Sequence, residues 1–108
     1  MTNIVIAKDF SKKPFGRYGS DSPNSAERFR REFLVPALKE GTEKVVIDFR
    51  GISMGVGSSF LEEAFGGLVR REGVAKTDLK KRLIIKSDMP FYKELIEKFI
   101  DQAQPQSF

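Results

Sequence analysis

The 108-residue sequence contains no histidine, no cysteine and no tryptophan. Without cysteine there is no disulfide, thiolate nucleophile, zinc–thiolate site or iron–sulfur cluster. Without histidine the commonest general base and metal ligand is missing as well. An enzyme built from this chain would have to run on carboxylates, hydroxyls, Lys, Arg or backbone dipoles. That disfavours most enzyme classes, and the residues present suggest no cofactor. Long apolar runs are also lacking. The longest, around Leu83, Ile84 and Ile85, falls far short of the ~20 residues that a membrane span needs. The first residues, Met1 to Asp9, have neither the basic start nor the extended apolar stretch of a signal peptide. The sequence therefore predicts a cytoplasmic protein with no membrane contact.

What is present suits one packed domain. Hydrophobic residues make up 40% of the chain and include 10 Phe, enough for an interior, whereas two halves would each be too small for a core. The domain is predicted over residues 1–102, with a polar, frayed tail at 103–108. The net charge of +4 is mild. It permits an acidic protein or nucleic acid as partner without requiring either.

The apolar pattern predicts alternating strands and helices. Ile4 to Ala7 reads as a first strand. Residues 9 to 25 are rich in Asp, Ser, Pro and Gly, with Phe10, Phe15 and Tyr18 spaced among them. This segment is either an ordered functional loop or, the preferred reading, contains a second short strand near Phe15–Tyr18. Asn24 with Glu27 has capping-box spacing ahead of a helix on which Phe29, Phe33, Ala37, Leu34 and Leu38 recur at helical intervals. Pro36 should kink that helix or end it early. Val45, Val46, Ile47 and Phe49 form the clearest strand, apolar at nearly consecutive positions. A helix follows from about Ser59 to Arg71, closed by Gly73. Leu83 to Ile85 is another strand, and Pro90 opens a terminal helix with Phe91, Leu95, Phe99, Ile96 and Ile100 repeating every four residues. The order β-(β)-α-β-α-β-α gives an α/β fold with helices packed on a small sheet.

One loop stands out, running from Arg50 through Gly51, Ile52, Ser53, Met54, Gly55, Val56, Gly57, Ser58 and Ser59 to Phe60. It sits between a strand and a helix, where functional loops of α/β sheets concentrate. Gly55 and Gly57 permit close backbone approach. Ser59 stands three residues before Glu62, the spacing of a capping box, and a hydroxyl at a helix amino terminus is also a favourable phosphate acceptor. A nucleotide loop is poorly supported, because the Lys of a P-loop is absent.

Val45-Val46-Ile47-Asp48-Phe49, the glycine-rich turn and Ser58-Ser59-Phe60-Leu61 resemble the signature stretch of STAS domains, the fold of bacterial anti-sigma factor antagonists. Ala7 to Ser11, Phe15 to Tyr18, Phe29-Arg30 and the string Gly57 to Leu68 resemble more closely an uncharacterised bacterial STAS-like family. The resemblance covers most of residues 3 to 87. It implies a small mixed sheet with helices packed on it, and a regulatory module that binds a histidine-kinase-like ATPase or another regulatory protein. It also implies that Ser59 matches the serine phosphorylated in antagonists, Ser58 the adjacent serine and Asp48 the strand aspartate. Gly57 stands where the antagonists' Asp-Ser-Ser-Gly motif has Asp, and Phe60 where it has Gly.

The candidate site residues are thus Ser59 and Ser58 as switch, and Asp48, Gly55, Gly57, Phe60 and Glu62 as binding loop. Arg17 and Tyr18, between Gly16 and Gly19, are candidate anion or partner contacts. Arg17 either recognises a carboxylate or phosphate or pairs internally with Asp9 or Asp21. Asp48 either hydrogen-bonds loop amides at its strand end or positions a phosphoryl group at Ser59. Glu62 and Glu63, about 100° apart on a helix, are poorly placed as an acid/base pair, and capping and solvation account for them. Phe10 and Phe15 are expected to pack inward. Seven basic residues from Arg70 to Lys86 form a positive pole that suits a solvated rim or an acidic partner better than nucleic acid. Gly66-Gly67 within a helix predicts a close approach to another backbone. The preferred function is a non-enzymatic protein-interaction module, and the alternative is a small domain that binds nucleic acid, an anion or a nucleotide.

Overall fold

The computed structural model describes residues 1–105. The elements are β1 (Thr2–Val5), helix α1 (26–39), β2 (Val45–Asp48), helix α2 (58–70), α3 (Lys76–Arg82), β3 (Leu83–Lys86) and α4 (Phe91–Gln102). The three strands form one sheet in the order β1-β2-β3. Both pairings are parallel, with Ile4 opposite Ile47 and Ile47 opposite Ile85. That row faces the helices. Ile4, Val45 and Ile47 enter the core beside Phe29, Leu34, Leu61, Phe65, Leu68 and Ile96, and Leu83 and Ile85 pack against it. Ile84, on the opposite face, is 38% exposed.

The described sheet is parallel throughout, not mixed, because the second strand near Phe15–Tyr18 does not form. The segment folds back onto the start of α1 instead. The Phe15 N–H bonds the Asn24 carbonyl at 3.0 Å, and the Ala26 and Glu27 amides bond the Gly16 and Arg17 carbonyls at 2.9 and 3.0 Å. Gly16 makes this turn with φ +90°, where a Cβ would also lie 2.9 Å from Asp21 Cβ. The first strand is shifted as well. A single π-helical turn, Ile6–Phe10, takes up residues assigned from sequence to the strand, and the Asp9 carboxylate accepts the Val5 N–H at 2.8 Å.

Helix α1 is capped by Ser25, one residue after the predicted Asn24, and the Ser25 hydroxyl accepts the Arg28 N–H at 3.2 Å. Pro36 neither breaks the helix nor ends it early. A π-helical turn at Arg30–Leu34 precedes it, closed by the Val35 N–H on the Arg30 carbonyl, and the helix continues to Lys39. The wider turn accommodates a ring that would collide with an α-helical carbonyl. Helix α3 was not visible in the sequence pattern, because Leu79 and Arg82 are its only buried side chains. Ala103, in the segment read as a frayed tail, is buried, with its N–H bonded to the Phe99 carbonyl. Residues 106–108 of that tail lie outside the described residues. Among the described residues, no helix is long and apolar enough to cross a membrane.

Candidate functional site

The loops after β1 and β2 meet at the carboxyl end of the sheet. The Ser53 N–H bonds the Lys12 carbonyl at 2.7 Å, joining the two loops. The buried Val56 N–H donates to the Tyr92 hydroxyl at 2.9 Å, tying the second loop to α4. With both ends held, the chain enters α2 at a fixed place.

Gly57, not Ser59, is the N-cap of α2, and no side chain caps that end. The predicted Ser59–Glu62 capping box is therefore absent. Ser58 and Ser59 occupy the first helical turn with both side chains exposed. They border an open groove of about 430 Å³ that Gly55, Gly57 and Phe60 also line, together with Pro14, Phe15 and Met54. Phe15 is 55% exposed and Met54 43%, so Phe15 does not pack inward as predicted. Phe10 does, against Phe29 and Phe33 with ring centroids 5.1 and 5.4 Å away.

Asp48 does not reach this groove. Its carboxylate accepts the Arg50 amide at 3.0 Å and the Arg50 guanidinium at 2.9 and 2.8 Å. The hydrogen bonds to Arg50 hold the Asp48 carboxyl below the usual carboxylate range, against the opposing effect of burial. Arg50 borders a second cleft of about 290 Å³, lined also by Ser53, Met54, Asp88 and Tyr92.

Glu62 and Arg17 belong to a third place, a cluster of charges behind the groove. Arg17 donates to Glu62 at 2.5 Å and to Glu63 at 3.3 Å, instead of pairing with Asp9 or Asp21. Arg70 adds contacts to Glu62 at 2.7 Å and Glu63 at 3.4 Å. Burial pushes the Glu62 carboxyl up, but hydrogen bonds from Arg70 and Arg17 outweigh it and hold the group low. Deepest in the cluster, Arg30 is 0% exposed and Glu63 1%. Arg30 donates to the Glu63 carboxylate at 2.7 Å, the Glu63 carbonyl at 2.8 Å and Glu72 at 2.9 Å. Glu63 is thus a buried ion-pair partner, and capping and solvation do not account for it. Gly67 makes room for this pair. A Cβ there would stand 2.5 Å from Arg30 Nη1, so the close neighbour at Gly67 is a guanidinium. At Gly66, by contrast, a Cβ would meet the Glu62 carboxylate at 2.8 Å and the Phe99 backbone carbonyl of α4 at 3.5 Å.

The structure therefore brings Ser58, Ser59, Gly55, Gly57 and Phe60 together at the groove, and sends Asp48, Glu62 and Arg17 elsewhere. Tyr18 is exposed on its own turn, where its N–H bonds Asp21 at 2.9 Å. Sequence reasoning missed Met54, Tyr92, Arg30 and Glu63 as organising residues. Tyr92 and Val56 are far apart in the chain, and no local spacing announces such a bond. The positive pole is largely spent internally, since Arg70 and Arg71 face Glu63, Lys80 pairs with Asp101 and Arg82 is buried against Asp78. Among the described residues no group of three acidic side chains is placed to hold a metal ion.

No curated protein and no solved structure matches the chain. A family description does match, the STAS-like domain of unknown function, over residues 25–90, which takes in α1, β2, the groove-forming loop, α2 and β3. More than half of the chain is covered, and the chain belongs to this family of STAS-like domains.

Proposed function

We propose that this domain is a non-enzymatic regulatory module that docks a protein through the groove at the start of α2. The partner is a histidine-kinase-like ATPase or another regulatory protein, and Ser59 is the residue at which modification would change the fit. The carrying observation is the groove itself. Two large apolar side chains, Phe15 and Met54, are left exposed in the same groove as two hydroxyls that the helix does not use for capping. Apolar side chains rimmed by polar ones are a usual mark of a protein contact. A phosphate on Ser59 would add negative charge and bulk to an apolar contact while sitting comfortably at the helix amino end.

The test is purification from the native host with three variants. Phe15→Glu and Met54→Glu should lose a co-purifying chain that carries a histidine-kinase-type ATPase domain, whereas Lys39→Glu, on α1, should keep it. Ser59→Asp should weaken that complex by about ten-fold while the fold is retained. Retention of the partner by both groove variants would remove the reading. A ligand-binding role rests on the second cleft, outside the ends of β2 and β3. At about 290 Å³ it lies at the lower bound of ligand pockets, and a nucleotide would not be enclosed there.

A further inference from the structure

We infer that the groove takes a segment of the partner in which apolar side chains are flanked by carboxylates. This rests on the docking reading above and specifies the chemistry of the partner. The groove lining carries no charged side chain. Its rim does. Lys12 and Lys13 are exposed and run directly into Pro14 and Phe15, and the bond from the Ser53 N–H to the Lys12 carbonyl holds that end beside Met54. Among the described residues neither ammonium has an ion-pair partner.

The carboxylates of the same region are committed elsewhere. Glu62 is held by Arg17 and Arg70, Asp48 by Arg50, Asp9 by the Val5 amide and Asp21 by the Tyr18 amide. Asp88 lies in the neighbouring cleft, beside Arg50. The mouth of the groove therefore presents an apolar floor with two uncompensated positive charges at one end. Complementary charge favours encounter and sets orientation, and apolar contact supplies affinity. A nucleic acid would need cations spaced along a track, whereas these two sit at one end.

The experiment uses the full chain, isotope-labelled, and two synthetic amphipathic peptides. Both share the same Leu and Phe positions, with Glu at the polar positions of one and Lys in the other. The Glu peptide should shift the amides of residues 12–16 and 53–60. Its affinity should fall about ten-fold in the K12E/K13E variant, and fall again as salt rises from about 0.05 M to about 0.5 M. The Lys peptide should not bind. Equal binding of both peptides, binding of neither, a footprint elsewhere, or the same footprint from an oligothymidine would each overturn the inference. The native partner separates the two levels. If Phe15→Glu abolishes its binding and K12E/K13E does not, the acidic segment is wrong and the docking face stands. If neither variant affects it, both fall.

Discussion

Two successive turns of one helix treat polar groups in opposite ways. At the start of α2, Ser58 and Ser59 stand exposed, unused for capping, beside exposed Phe15 and Met54. One turn further on, Glu62 and Glu63 are gripped by Arg17, Arg30 and Arg70, and the Arg30–Glu63 pair is sealed from water. The first turn leaves its hydroxyls and apolar neighbours exposed. The next turn spends nearly all of its polar groups internally, Arg30 Nη2 alone being left buried without a partner among the described residues. A buried ion pair contributes little net stability compared with apolar packing, but it tolerates few geometries. Here it joins α1 to α2, while Arg17, through Glu62 and Glu63, ties the segment that carries Phe15 to the same helix.

The largest test of that contrast is to break the sealed turn. Glu63→Leu would leave Arg30 with only Glu72 as a charged partner in a buried site and should cost about 3–5 kcal/mol in urea unfolding. Adding Arg30→Met should recover most of the loss. A single variant as stable as the parent would show that the pair does not hold the helices. Gly67→Ala asks the same question sterically. Its Cβ would press on a guanidinium that has nowhere to retreat, at a cost of about 1–3 kcal/mol. A higher melting temperature for that variant, as helix propensity alone would give, would contradict the packing.

A smaller effect should follow pH. The Glu62 carboxyl is held low in the folded chain, so its contribution is present above its unfolded pKa, about 4.3, and is lost as pH falls through the folded value. Glu62→Gln should be less stable than the parent at about pH 7, and the gap should close below about pH 4. A gap that is unchanged in acid would place the stabilisation outside the charge. The smallest effect belongs to the open turn. Ser59→Ala should change stability by less than about 0.5 kcal/mol, since no cap is lost. A cost near that of a lost cap, about 1 kcal/mol, would restore the helix-capping role that the geometry denies.

How much of this was legible in the sequence depended on how local the cause was. The run Val45 to Ile47 and the four-residue repeat of α4 are dictated by neighbours, and both elements form where the pattern puts them. Caps were misplaced by one or two residues, at Asn24 for Ser25 and at Ser59 for Gly57. Several adjacent residues can serve as caps, and the backbone path into the helix decides which one does. Helix α3 was hidden because its mostly charged sequence has almost no apolar period to detect. The groove loop was found, from its glycines and serines. Its walls were not, because Phe15 is turned outward by a fold-back whose bonds run to Asn24 and the start of α1. The partners of Arg17 and Arg30 were equally out of reach. They stand 45 and 33 positions away, at Glu62 and Glu63.

The hydrogen bond from Val56 to Tyr92 also bears on how much chain the family's shared segment needs in order to stand alone. That segment, residues 25–90, stops two positions before the tyrosine that anchors its own groove loop. It also omits β1, the parallel neighbour of β2, and the buried Ile96 and Ile100 of α4. A polypeptide trimmed to the shared region would have an unpaired sheet edge, an uncovered side of the core and an unanchored loop at the groove. The recognisable part of the domain is therefore smaller than its cooperative unit, and the flanking pieces are as necessary to it as the region by which it is recognised.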